Sequence, residues 1–121
     1  MSRLILVVED QEDNRRIMRD LLTSVGYEVI EAVTGEDGVA AAETHRPALI
    51  LMDIQLPGLD GYEATRRIKA KPDLHHIPII VVTSYALSGD DVKAFEAGCD
   101  DYVSKPFSPR ELLAKIREYL Q

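Results

Sequence analysis

The chain has 121 residues, 45% apolar and 29% charged, with a formal net charge of −7 and a single cysteine. That length holds one core, and that composition excludes a disordered or disulfide-stapled chain. The acidic balance argues against direct nucleic-acid binding, and the opening apolar run, Leu4–Val8, falls short of the ~7–15 residues of a signal peptide and the about 20 of a membrane span. A cytoplasmic protein that does not engage a membrane is therefore expected.

In chain order, Leu4–Val8 reads as a first, wholly apolar strand. Ile17, Met18, Leu21, Leu22 and Val25 then recur at helical spacing, and Gly26 ends that helix. Tyr27–Ala32 is a second strand, and Thr34-Gly35-Glu36-Asp37 opens a second helix. Ala48–Met52 is a third strand. Asp60-Gly61-Tyr62-Glu63 opens a third helix, whose cluster of Arg66, Arg67, Lys69 and Lys71 reads as a solvated face. His75 and His76 belong to a surface loop before a fourth strand, Ile79–Val82. Phe95 is expected in the core from a fourth helix that Gly98 ends, and Cys99 is expected to be a small, buried, unreactive residue. After a fifth strand, Asp101–Ser104, the run Ser108-Pro109-Arg110-Glu111 offers an N-cap, a proline at the first helical position and a capping-box acid. Leu112, Leu113, Ile116, Tyr119 and Leu120 share one face of that last helix. Strands alternating with helices imply parallel pairing and right-handed crossovers, hence a three-layer α/β domain over residues 1–121.

In an open parallel sheet, ligands bind beyond the carboxyl ends of the strands. The residues standing there are Glu9-Asp10, Asp53, Thr83-Ser84 and Lys105-Pro106. Taken singly each has a plain reading: Asp10 as a helix cap, Asp53 as a loop start before Pro57-Gly58, Thr83 as a strand residue, Lys105 as a solvated cation. Taken together they are three carboxylates that repel one another without a partner. A hard divalent cation such as Mg²⁺ removes that repulsion, and Lys105, Thr83 and the Ser84 N–H suit phosphoryl oxygens.

These residues carry a resemblance. The stretches Val7-Val8-Glu9-Asp10, Leu51-Met52-Asp53-Ile54-Gln55-Leu56-Pro57-Gly58-Leu59-Asp60-Gly61, Val81-Val82-Thr83-Ser84 and Tyr102-Val103-Ser104-Lys105-Pro106-Phe107 resemble the CheY-like receiver domain of two-component response regulators, and the whole chain resembles the stand-alone DivK type. The resemblance implies a flavodoxin-like, doubly wound five-stranded parallel sheet of order 2-1-3-4-5 with five helices. It implies Asp53 as phosphoacceptor, and Mg²⁺ held by Asp10, Asp53 and the Gln55 backbone carbonyl, with Glu9 binding through water or orienting the site. Thr83 and Lys105 would hold the phosphoryl oxygens, Thr83 and Tyr102 would form the switch, and the Lys105–Pro106 bond would be cis.

The implied donor is a phosphohistidine on a sensor histidine kinase or histidine phosphotransfer protein. The implied output is a downstream protein target reached through the fourth helix, fifth strand and fifth helix, with the chain a monomer or a phosphorylation-dependent homodimer. Such a protein is a phosphoacceptor switch whose only chemistry is its own phosphorylation and dephosphorylation. Tyr85, bordering the path of the hydrolytic water, is expected to slow phosphate loss. Two rivals fit less well. A haloacid-dehalogenase-type phosphohydrolase wants a second Asp where Gln55 stands, and a nucleotide or flavin binder wants a phosphate-cradling loop where Glu9-Asp10-Gln11-Glu12-Asp13 stands.

Overall fold

The computed structural model describes residues 3–83 and 90–120. Five strands, β1 (Leu4–Val8), β2 (Glu28–Ala32), β3 (Leu49–Met52), β4 (Ile79–Thr83) and β5 (Asp101–Ser104), alternate with five helices, α1 (Glu12–Ser24), α2 (Gly35–His45), α3 (Gly61–Lys69), α4 (Asp90–Glu96) and α5 (Pro109–Tyr119). All strand pairs are parallel and the sheet order is β2-β1-β3-β4-β5, as the resemblance implies.

The apolar strands β1, β3 and β4 are buried along almost their whole length because helices cover both faces. Alternation divides their side chains between two cores. Leu6, Val8, Ile50, Met52, Ile79 and Val81 meet Ala42 of α2, Ala64 and Ile68 of α3 and Ala94 of α4. Ile5, Val7, Leu49, Leu51, Ile80, Val82 and Val103 meet Met18 and Leu22 of α1 and Leu112 and Ile116 of α5.

The helix starts follow the sequence signals. Thr34, Asp60 and Ser108 each accept a bond from the backbone N–H three residues on, at Asp37, Glu63 and Glu111. Gly26 has φ +94° just past α1, in the left-handed region that favours glycine. Among the described residues no helix is long and apolar enough to cross a membrane.

Three expectations need correction. Phe95 is 49% exposed rather than in the core. Among the described residues of α4 only the small Ala94 is buried, in the core beneath the helix, and the next position along the helix faces outward. Ile17 is 55% exposed at the edge of the α1 stripe, where it borders a shallow apolar cleft with Pro106, Phe107 and Pro109. Lys69 is not part of a solvated face: its ammonium donates to the carbonyls of His75 (3.0 Å) and Ile77 (2.8 Å) and to Asp100 Oδ2 (2.7 Å), tying α3 to the chain entering β4 and β5. Arg66 and Arg67 do lie on the surface, paired with Glu63.

Thr65 of α3 is fully buried, and its hydroxyl has no hydrogen-bond partner among the described residues. A buried, unmet hydroxyl costs about 1–3 kcal/mol, so Thr65→Val, which keeps the shape, is expected to stabilise the fold by about 1 kcal/mol in urea unfolding. A loss of stability would mean that this hydroxyl is satisfied in solution.

Candidate functional site

The register of the sheet assembles the site. Val8 lies opposite Met52 in the β1–β3 pair, so Glu9 and Asp53 leave the sheet side by side. Their backbones stay tethered, Glu9 N–H to the Ala32 carbonyl and Asp53 N–H to the Val8 carbonyl, each at 3.0 Å. Thr83 lies opposite Ser104 in the β4–β5 pair, and the Lys105 N–H continues the ladder to the Thr83 carbonyl at 2.7 Å. The Lys105–Pro106 peptide bond is cis, as the resemblance implies.

The side chains then converge. Lys105 donates to Glu9 Oε1 and stands 3.6 Å from Asp53 Oδ2. Glu9 Oε2 accepts from the Gln11 N–H at 3.2 Å, and Asp53 Oδ1 from the Ile54 N–H at 2.8 Å. Asp10 is not a helix cap. Gln11 holds the N-cap position of α1, without a side-chain capping bond. Glu9, Asp10 and Asp53 present oxygens that all lie within 4.8 Å of one another, Glu9 and Asp53 buried and Asp10 half-buried. Asp10, Gln11, Asn14, Asp53, Gln55 and Lys105 line a cleft of about 290 Å³ above them.

Glycine lets the chain approach this site closely. A Cβ on Gly61, at the start of α3, would fall 2.0 Å from the Asp53 carbonyl oxygen, so no larger residue fits without moving Asp53.

Electrostatics separates the two buried acids. Burial, a hydrogen bond to Glu9 and the Glu9 charge push the Asp53 carboxyl from an ordinary 3.8 up to about 7, against the pull of Lys105. Burial acts on Glu9 as well, but hydrogen bonds from Asp53 and Lys105 and the ammonium charge outweigh it and hold Glu9 below the ordinary range. The mutual repulsion expected from the sequence is thus met in part by the raised pKa of Asp53 and in part by Lys105. A set of hard oxygen donors at this spacing, open to a polar cleft, also fits a divalent cation.

Residues 5–117 match the response regulator receiver domain family. The chain belongs to this family. It is 42% identical over 120 residues to the polar-differentiation response regulator DivK of Brucella anthropi, covering 99% of this chain and 98% of that one. The receiver domain of the sensor histidine kinase PA1611 from Pseudomonas aeruginosa, solved with a magnesium ion in its active-site cleft, superimposes with a TM-score of 0.92 at 40% identity, over 99% of this chain and 98% of that one. A CheY-like receiver from Methanospirillum hungatei does so with a TM-score of 0.89 at 36% identity, over 99% and 94% of the two chains. A receiver of this kind is a phosphoacceptor switch of two-component systems rather than an enzyme that turns over an external substrate.

Within this receiver, Glu9, Asp10, Asp53 and Lys105 meet as expected, and Gln55 lines the same cleft. Thr83 is fully buried at the adjoining end of β4, next to Lys105 through the backbone. Tyr102 is half-buried on β5, packed against the α2–α3–α4 core and outside the residues that line the cleft. Ser84 and Tyr85 lie outside the described residues. Asn14 also lines the cleft, from the first turn of α1, and sequence reasoning missed it because no capping residue marks where that helix begins.

Proposed function

We propose that this receiver takes a phosphoryl group onto Asp53 from a phosphohistidine of a sensor histidine kinase or histidine phosphotransfer protein. The metal in that reading is Mg²⁺, held by the Asp10 and Asp53 carboxylates and the Gln55 backbone carbonyl, with Glu9 behind them. When bound, the ion neutralises charge on the carboxylates and on the transferring group. The observation that carries the reading is the meeting of three carboxylates and one ammonium at the strand ends.

The chain's own residues divide the remaining work. Asp53 Oδ1 is fixed by the Ile54 N–H, leaving Oδ2 as the nucleophile. Its oxygen–phosphorus bond forms as the phosphorus–nitrogen bond of the donor breaks, and the imidazole departs. Lys105, already 3.6 Å from Oδ2, neutralises a phosphoryl oxygen. Phosphoryl transfer has a loose transition state, so such positioning and charge supply most of the catalysis. The Thr83 hydroxyl is the group that turns toward the new phosphoryl oxygens, and Tyr102 follows into the space vacated. The face of α4, β5 and α5 then presents a changed surface to a cytoplasmic protein target or to a second copy of the chain. Water later attacks the acyl phosphate and resets the switch.

Incubation with Mg²⁺ and a small acyl-phosphate donor, read by intact mass, tests this. One phosphoryl group is expected on the wild type, none on Asp53→Asn, and none with a chelator in place of Mg²⁺. Equal labelling of Asp53→Asn would remove Asp53 from the role.

A further inference from the structure

The three acids of the cleft are not held alike. The Glu9 carboxylate is gripped by Lys105 and by the Gln11 N–H, and the Asp53 carboxylate by the Ile54 N–H. The Asp10 carboxylate meets only Gln11 Nε2 among the described residues, at 3.5 Å. Its direction therefore depends largely on the backbone that carries it, and that backbone lies before a helix whose N-cap side chain makes no capping bond.

Arg15 supplies what the cap does not. From the end of the first turn of α1 its Nη1 reaches back to the Glu9 carbonyl at 3.1 Å and toward the Asp10 carbonyl at 3.5 Å. Those carbonyls belong to the two peptide planes that flank the Asp10 Cα. Each plane is rigid, so fixing both fixes the φ and ψ of Asp10 and the direction of its Cα–Cβ bond. The guanidinium is itself anchored through Nε to Glu31 Oε1 of β2 at 3.2 Å, and its side chain is only 18% exposed. It does not line the cleft.

We propose that Arg15 is a positioning residue that aims the Asp10 carboxylate into the cleft for a divalent cation. The inference rests on the metal-binding reading of that cleft. Charge and positioning make opposite demands. If Arg15 acted only through its positive charge, removing it would tighten cation binding, because a like charge beside the site would be gone. If it positions Asp10, removing it loosens binding.

The test is Mg²⁺ titration by isothermal calorimetry at pH 8.5, with no phosphoryl donor present. Arg15→Met keeps the stem and loses the donors, and a roughly tenfold higher Kd is expected. Arg15→Lys keeps the charge but loses the planar fork, and a severalfold higher Kd is expected. Arg16→Met, at an exposed neighbour paired with Asp13, is expected to leave the Kd unchanged. An unchanged or lower Kd in Arg15→Met, or an equal rise in Arg16→Met, overturns the proposal. Should Arg15→Met not fold, Arg15→Lys decides alone, and a wild-type Kd there overturns it. Asp10→Asn separates this inference from its foundation. If that variant loses binding and Arg15→Met does not, only the brace fails; if it binds as wild type does, the metal reading of the cleft fails and the brace with it.

Discussion

Lys105→Met is expected to slow phosphoryl transfer from a small acyl phosphate by roughly 100-fold at saturating Mg²⁺. Among the described residues the ammonium is the one cation paired with the buried carboxylates, bonded to Glu9 and 3.6 Å from Asp53, with its side chain 13% exposed. Methionine preserves most of the stem and removes only the charge and its donors. On the proposed mechanism that charge meets a phosphoryl oxygen as transfer proceeds, beside buried carboxylates, where one charge-assisted contact is worth more than on the surface. The same substitution makes the cleft more negative by one unit. Divalent binding should therefore tighten, by about tenfold at the effective dielectric of a half-buried site. Rate by intact mass and Mg²⁺ affinity by calorimetry are thus expected to move in opposite directions. A rate within threefold of wild type would remove Lys105 from the transfer step. A fall in both rate and affinity would instead make Lys105 an organiser of the metal site.

The strand-end chemistry was legible because a parallel sheet leaves little freedom there. Leu4–Val8, the third strand and the fourth strand read as buried runs, so the residues following them emerge on one edge, and the strand order that the resemblance implies sets Asp53 beside Glu9. Features set by how deep a helix settles were less legible. Helical periodicity gives α1 an apolar stripe but not its edge, so Ile17 was counted inside it and stands in solvent. In α4 the small Ala94 takes the buried position, and the large Phe95 beside it faces outward. Contacts between a long side chain and a distant backbone leave no pattern at all. Lys69 finds the carbonyls of His75 and Ile77, and Arg15 turns back to those of Glu9 and Asp10, and any lysine or arginine on a helix would have read the same way. The Glu9–Lys105 pair spans 96 residues of sequence, and only the folded register brings it together.

Asp53→Asn is expected to stabilise the metal-free protein relative to wild type, increasingly so as pH rises from 5 to 8. The Asp53 carboxyl is pushed up to about 7 from an ordinary 3.8, first by burial and then by its hydrogen bond to Glu9. The native state therefore holds this proton more tightly than the unfolded chain does. Stability from that source is complete below pH 3.8 and is lost as pH rises through 7. Glu9 is shifted the other way, below an ordinary 4.5, so its contribution is already in place above that value and does not vary across the window. Asparagine cannot ionise, yet its oxygen can still accept from the Ile54 N–H and its amide can still donate to Glu9. Urea unfolding in a chelator at pH 5, 6.5 and 8 should show the difference between variant and wild type growing by about 2 kcal/mol, since the stretch from pH 5 to about 7 spans two pH units at about 1.4 kcal/mol each, discounted for the solvent that reaches the cleft. Saturating Mg²⁺ at pH 8 should close much of that gap by stabilising wild type more than the variant, since a ligand that binds only the folded form adds its binding free energy to stability. A difference that stays flat between pH 5 and 8, or one that shrinks, would mean that Asp53 ionises freely in the native protein and that the acids of the cleft do not strain the fold.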